Sequence, residues 1–90
     1  MSKLRILLAD DHEVVRQGVR KSIENEAGWE VCGEAADGRA AVALAEQLKP
    51  DVIVMDIGMP QLNGLEAARQ IKRARPTSEV PSLKLVVFRL

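Results

Sequence analysis

Two short apolar runs, each ending in aspartate, constrain this chain more than any other feature. Leu4-Arg5-Ile6-Leu7-Leu8-Ala9 runs into Asp10-Asp11, and Val52-Ile53-Val54-Met55 runs into Asp56. Both runs are nearly continuous rather than alternating, the pattern of strands covered on both faces. A weaker strand is expected over Glu30 to Ala35, with Val31 and Cys32 inside it. A further one is expected over Leu83 to Phe88, with Leu85, Val86 and Val87 inside it. Helix-period segments fill the gaps between these strands. The order is β-α-β-α-β-α-β, which argues for a parallel sheet joined by right-handed crossovers.

The helical segments carry their own start and stop signals. The first is expected from about Glu13 to Glu26, with Val15, Val19, Ser22 and Ile23 on one face and Gly28 as a stop signal. The second is expected from about Gly38 to Leu48, with Ala40, Ala41, Leu44, Ala45 and Leu48 at 3–4 spacing. Asp37 is a natural N-cap, and Lys49-Pro50 ends the helix. The third is expected from about Gly64 to Arg75, with Leu65, Ala68 and Ile71 as its apolar side, Asn63 as cap and Pro76 as stop. Arg69, Lys72, Arg73 and Arg75 crowd its last turns, where they complement the helix dipole.

Bulk properties exclude several classes. Ninety residues make one domain at most, with a small core. Lys plus Arg and Asp plus Glu stand at 13 each, so the chain as a whole has no electrostatic footprint for nucleic acid or membrane. The single cysteine, Cys32, cannot form an internal disulfide, which fits a reducing cytoplasm. No apolar stretch is long enough to cross a bilayer, and the first apolar run stops at Asp10 without a signal-peptide pattern.

In an open parallel sheet, ligands collect outside the carboxyl ends of the strands. Asp10 and Asp11 close one strand and Asp56 closes another. If those strands are neighbours, the three acids converge. Carboxylates brought together repel, and a divalent cation with oxygen preference relieves that repulsion. Mg²⁺ suits a site with few protein ligands and several waters. A carboxylate beside such an ion can attack phosphorus and form an acyl phosphate. Taken singly, each acid reads as a turn residue or a helix cap; together and in this order they point to a site. His12 reads as a helix-start residue beside the acids. Cys32 reads as a small buried apolar group, and Trp29 as packing at the start of a strand.

The chain resembles the receiver domain of two-component response regulators, and most of all those that precede LuxR-type (NarL-type) helix-turn-helix output domains. The residues that carry the resemblance are Ile6-Leu7-Leu8-Ala9-Asp10-Asp11-His12, Gly33-Glu34-Ala35-Ala36-Asp37-Gly38, Asp51-Val52-Ile53-Val54-Met55-Asp56-Ile57-Gly58-Met59-Pro60 and Asn63-Gly64-Leu65-Glu66-Ala67. The match covers roughly residues 3–75, with a divergent segment over 76–90. The resemblance implies a flavodoxin-like, doubly wound α/β fold with strand order 2-1-3-4-5, so that strands one and three are neighbours. It implies Asp56 as the phosphoryl acceptor, with a sensor histidine kinase as donor. It implies Asp10, Asp11 and Asp56 as Mg²⁺ ligands, with the Gly58 backbone carbonyl as a further one. Pro60 and Gly64 would shape the loop into the third helix.

Receiver domains also carry a Ser or Thr at the end of the fourth strand and a Lys at the end of the fifth. Here Arg89 stands where the hydroxyl is expected, Thr77 and Ser78 lie in the preceding loop, and Lys84 lies too early to replace the Lys. The expectation is a receiver truncated at its C-terminus, with strand order 2-1-3-4 and with strand five and helices four and five missing. Strand 83–88 is then an exposed apolar edge, inviting a homodimer or another partner. Besides the phosphoacceptor module, a switching-incompetent fragment or decoy that only binds partners is a competing expectation. A phosphatase of the haloacid-dehalogenase type would need a second acid two residues after the nucleophile, and Gly58 occupies that position. The reading is therefore a cytoplasmic, non-enzymatic signalling module, with no direct nucleic-acid contact by this segment.

Overall fold

The computed structural model describes residues 3–56, 58, 59, 61–74 and 84–88, with backbone alone for 74 and 84–88. Its elements alternate as expected: β1 (Leu4–Ala9), α1 (Glu13–Glu24), β2 (Trp29–Ala35), α2 (Gly38–Leu48), β3 (Val52–Asp56), α3 (Gly64–Ala74) and β4 (Lys84–Phe88). The strands form one parallel sheet in the order β2-β1-β3-β4. This is the doubly wound arrangement anticipated from the sequence, with β1 and β3 side by side.

Side-chain alternation along the strands builds two cores. Leu7 and Ala9 of β1 and Ile53 and Met55 of β3 face a buried cluster with Ala41 and Ala45 of α2 and Ala67 and Ile71 of α3. Ile6 and Leu8 face the other way, onto Ile23 and Val19 of α1, with Val52 and Val54 packed beside them. Helices therefore cover both sheet faces, which is why both apolar runs are continuous.

Helix ends are fixed by the residues expected to fix them. Asp37 accepts the Ala40 N–H at 2.8 Å, and Asn63 accepts the Glu66 N–H at 2.9 Å. At the other end of α2, Lys49 adopts a left-handed conformation with φ of 47°. Arg5 reaches over from β1 and donates to the Leu48 and Lys49 carbonyls at 2.6 and 3.2 Å. That cation satisfies carbonyls that an ended helix leaves open, and it complements the dipole.

Several local expectations are corrected. α1 stops at Glu24, and Ser22 is exposed; Ile23 is its buried residue. On α3 the buried positions are Gly64, Ala67 and Ile71, whereas Leu65 is 50% exposed and Ala68 only partly buried. The burial stripe follows 64-67-71, one position off the face that contains Leu65, because α3 meets both α2 and the sheet. Trp29 does open β2, but it is 43% exposed, and Cys32 is half-buried. Leu83, Arg75 and Pro76 lie outside the described residues, as do Pro60, Thr77, Ser78 and Arg89.

β2 departs from simple alternation. Ile6 pairs with Val31 but Leu7 pairs with Gly33, so Cys32 is an extra residue in β2. The shift places Glu34 opposite Leu8, on the α1 face of the sheet, and Ala35 opposite Ala9, on the other face.

Gly38, the first residue of α2, abuts the Leu62 backbone carbonyl, and a Cβ built on it would also lie 2.7 Å from Leu62 Cβ. Alanine there gains up to about 1 kcal/mol of helix propensity. Overlap with main chain rather than a flexible side chain costs more, of order 1–3 kcal/mol. Gly38→Ala is expected to lower stability by about 1–2 kcal/mol in urea denaturation; an unchanged or raised midpoint would contradict the docking of α2 against Leu62.

Candidate functional site

The parallel register of β1 and β3 is what creates the site. Ala9 pairs with Met55, so the next residues, Asp10 and Asp56, leave adjacent strands at the same edge. Asp10 and Asp56 are buried, at 3% and 4% exposure, and Asp11 is exposed beside them. One ligand-capable atom from each of Asp10, Asp11, His12 and Asp56 lies within 4.8 Å of the others.

The two buried carboxylates are each held by backbone near their own strand end. Asp56 Oδ1 accepts the Gly58 N–H at 3.0 Å, which fixes the plane of that carboxylate. Asp10 Oδ1 accepts the His12 N–H at 2.8 Å across the turn into α1. Asp10 Oδ2 has no hydrogen-bond partner among the described residues. A buried carboxylate oxygen without a donor costs free energy, and a cation in the pocket would satisfy it. Buried and exposed oxygens gathered in this way fit a hard divalent ion that keeps part of its water shell.

His12 stands where the sequence suggested, at the N-cap of α1, but its side chain makes no cap bond. Its Nδ1 instead lies 3.2 Å from Asp10 Oδ1, 3.1 Å from Asp11 Oδ1 and 3.9 Å from Asp56 Oδ2. Gly64 is buried at the start of α3. The loop between Asp56 and α3 turns through Gln61, whose φ of 69° is left-handed. Lys84 pairs with Val52 and Phe88 with Asp56. Lys84 therefore starts β4 roughly 13 Å along the strand from the acid end, in keeping with its position being too early.

Sequence reasoning missed a second polar layer behind the acids. Arg16 of α1 donates through Nη1 to the Asp10 carbonyl at 2.6 Å and through Nε to Glu34 Oε1 at 2.7 Å. Gln17 also donates to Glu34 Oε1, at 3.1 Å, and Arg20 donates to Glu34 Oε2. The signal available in the sequence was a glutamate near the end of a strand, between Gly33 and Ala35, which requires partners once partly buried. Burial is the largest single influence on the Glu34 carboxyl and pushes its pKa up. The hydrogen bonds and charges of Arg16 and Arg20 together outweigh it and hold the pKa below the ordinary 4.5.

The sequence matches the family described as the response regulator receiver domain over residues 6–86. The chain belongs to that family. It is 47% identical over 78 residues to the uncharacterized transcriptional regulatory protein YxjL of Bacillus subtilis, covering 87% of this chain and 36% of that protein. It is 43% identical over 77 residues to the response regulator protein VraR of Staphylococcus aureus, covering 86% of this chain and 37% of that protein. Among solved structures, a LuxR-family two-component response regulator from Aurantimonas sp. SI85-9A1 superimposes with a TM-score of 0.86 at 38% identity, over 98% of this chain and 59% of that one. The chain thus spans little more than a third of these two curated relatives.

The Glu34 network predicts a definite pH dependence. A carboxyl whose folded pKa is depressed adds stability that is fully present above its unfolded value, about 4.3–4.5. That contribution is lost as pH falls through the folded value. Glu34→Gln is expected to destabilise by about 1–2 kcal/mol at pH 7. The gap between its urea midpoint and that of the wild type should begin to narrow below the unfolded value and close as pH falls through the depressed folded value; a gap that widened with acid would contradict the Arg16–Glu34–Arg20 arrangement.

Proposed function

We propose that this domain accepts a phosphoryl group on Asp56 from a histidine kinase, in a Mg²⁺-dependent reaction. The observation that carries the reading is the convergence of Asp10, Asp11 and Asp56 at the shared carboxyl edge of β1 and β3. Family membership supports it, since receiver domains act as phosphoacceptors in two-component signalling.

The chain's own residues account for much of the chemistry. Gly58 N–H holds Asp56 by one oxygen and so fixes the orientation of the other. An Asp56 oxygen attacks phosphorus in line with the donor; the new P–O bond forms as the donor's P–N bond breaks. The imidazole leaves with the bonding electron pair and takes a proton from solvent. Burial of Asp56 limits water at the acceptor, while exposed Asp11 keeps the pocket open on one side. Asp10, Asp11 and Asp56, with the Gly58 carbonyl, would hold Mg²⁺. Such an ion neutralises charge on the transferring phosphoryl oxygens. Gly64, and Pro60 from its sequence position, are assigned to shaping the loop beside the site.

Nothing in this assignment requires turnover of a free substrate, because Gly58 supplies no carboxyl where a hydrolase would place its general acid. Among the described residues no helix is long and apolar enough to cross a membrane. The proposed reaction with a kinase places the domain in the cytoplasm. β4 lies at the edge of the described sheet, and its sequence Leu85-Val86-Val87-Phe88 is apolar. Main-chain pairing along that strand is the proposed route to a homodimer or another protein partner.

Acetyl phosphate with Mg²⁺ should label the chain with an acid-stable, base-labile phosphate. Asp56→Asn should abolish the label, and Asp10→Asn should slow labelling at least about tenfold. Label that survives Asp56→Asn would overturn the acceptor assignment. For the edge strand, sedimentation velocity should show association rising with concentration, and a monomer throughout would remove that part of the proposal.

A further inference from the structure

His12 is the only histidine in the sequence, and its side chain is 63% exposed at the mouth of the acid pocket. Three distances define its position: 3.1 Å to Asp11 Oδ1, 3.2 Å to Asp10 Oδ1 and 3.9 Å to Asp56 Oδ2. Two donors each roughly 2.1 Å from one ion stand about 3.0 Å apart at a right angle, and about 4.2 Å apart when opposite. All three spacings from the imidazole nitrogen lie within that range, and one atom from each of the four residues lies within 4.8 Å of the others, so the nitrogen stands within reach of a cation held by the carboxylates.

An independent observation points to a ligand in this pocket. Asp10 is almost wholly buried, and its Oδ2 has no partner among the described residues although its carboxylate belongs to the cluster. The His12 ring makes no helix-cap bond; its Nδ1 lies within hydrogen-bond distance of Asp10 Oδ1, so it already faces the pocket. Oxygen ligands alone suit Mg²⁺, whereas an added imidazole favours borderline ions such as Co²⁺ and Zn²⁺.

We propose that His12 is a fourth ligand of the acid pocket, giving it an affinity for nitrogen-accepting divalent cations beyond that of its carboxylates alone. The inference rests on the pocket being a cation site, as the proposed function requires. His12 does not replace the acids; it adds one nitrogen donor on the solvent side. Oxygen-preferring ions use the pocket without it.

Calorimetric titration of the tag-free chain with MgCl₂ and CoCl₂ tests this, using wild type, His12→Ala and Asp10→Asn. His12→Ala is expected to weaken Co²⁺ binding about 10–100-fold while leaving Mg²⁺ within about twofold. The His12 ring proton signals should broaden with Co²⁺ and stay in place with Mg²⁺. Equal loss for both ions would overturn the proposal, since His12 would then support the pocket without choosing the metal. Tighter binding of both ions in His12→Ala would also overturn it, by showing the ring to be a competing positive charge. Asp10→Asn separates the layers: if wild type binds Mg²⁺ and this variant does not, the acid pocket stands whatever His12 does. If wild type binds neither ion, both readings fall.

Discussion

The parallel pairing of β1 with β3 is the contact on which everything else depends. Ala9 opposite Met55 sends Asp10 and Asp56 out of the sheet at neighbouring points. A shift of one residue would turn the buried side chains of one strand to the other face and separate the two acids from their present neighbours. The register is held by packing: Leu7 and Ile53 enter one core, while Leu8 and Val54 enter the other. Hydrophobic burial, which has no directional preference of its own, thereby fixes a polar site to within a few ångströms.

The acids are costly to assemble, and the surrounding structure offsets part of that cost. Backbone N–H groups of His12 and Gly58 take one oxygen each from Asp10 and Asp56. Behind them Arg16 grips the Asp10 carbonyl and is itself anchored on Glu34. The result ties α1, β1 and β2 to the strand end that carries Asp10. Asp10 Oδ2 is left over, buried and without a donor among the described residues. Unbalanced charge at one place, supported by balanced charge beside it, is the arrangement expected of a cation-binding pocket.

Much of this was legible before any coordinates. Strand runs ending in acids, the caps at Asp37 and Asn63 and the βα alternation all follow from local patterns of polarity and turn chemistry. The α3 face was misjudged by one position: the 65-68 and 64-67 pairs lie about 100° apart around the helix and both neighbour Ile71, and only contact with α2 and the sheet decides which pair is buried. Glu34 was read only as part of a motif. Its partners come from a helix that precedes it, and nothing local in the chain names them.

The sequence by itself determined the element order, the helix caps and which acids end the strands, because these depend on residues a few positions apart. Tertiary structure alone decided that Cys32 bulges out of register, turning Glu34 toward Arg16 and Arg20 rather than toward the opposite face. It also decided that the His12 ring turns to the acids instead of capping α1. Both outcomes depend on charges from separate elements meeting in space. For Asp10, Asp11 and Asp56, sequence supplied the carboxylates, and the β1–β3 register brought them within reach of one ion.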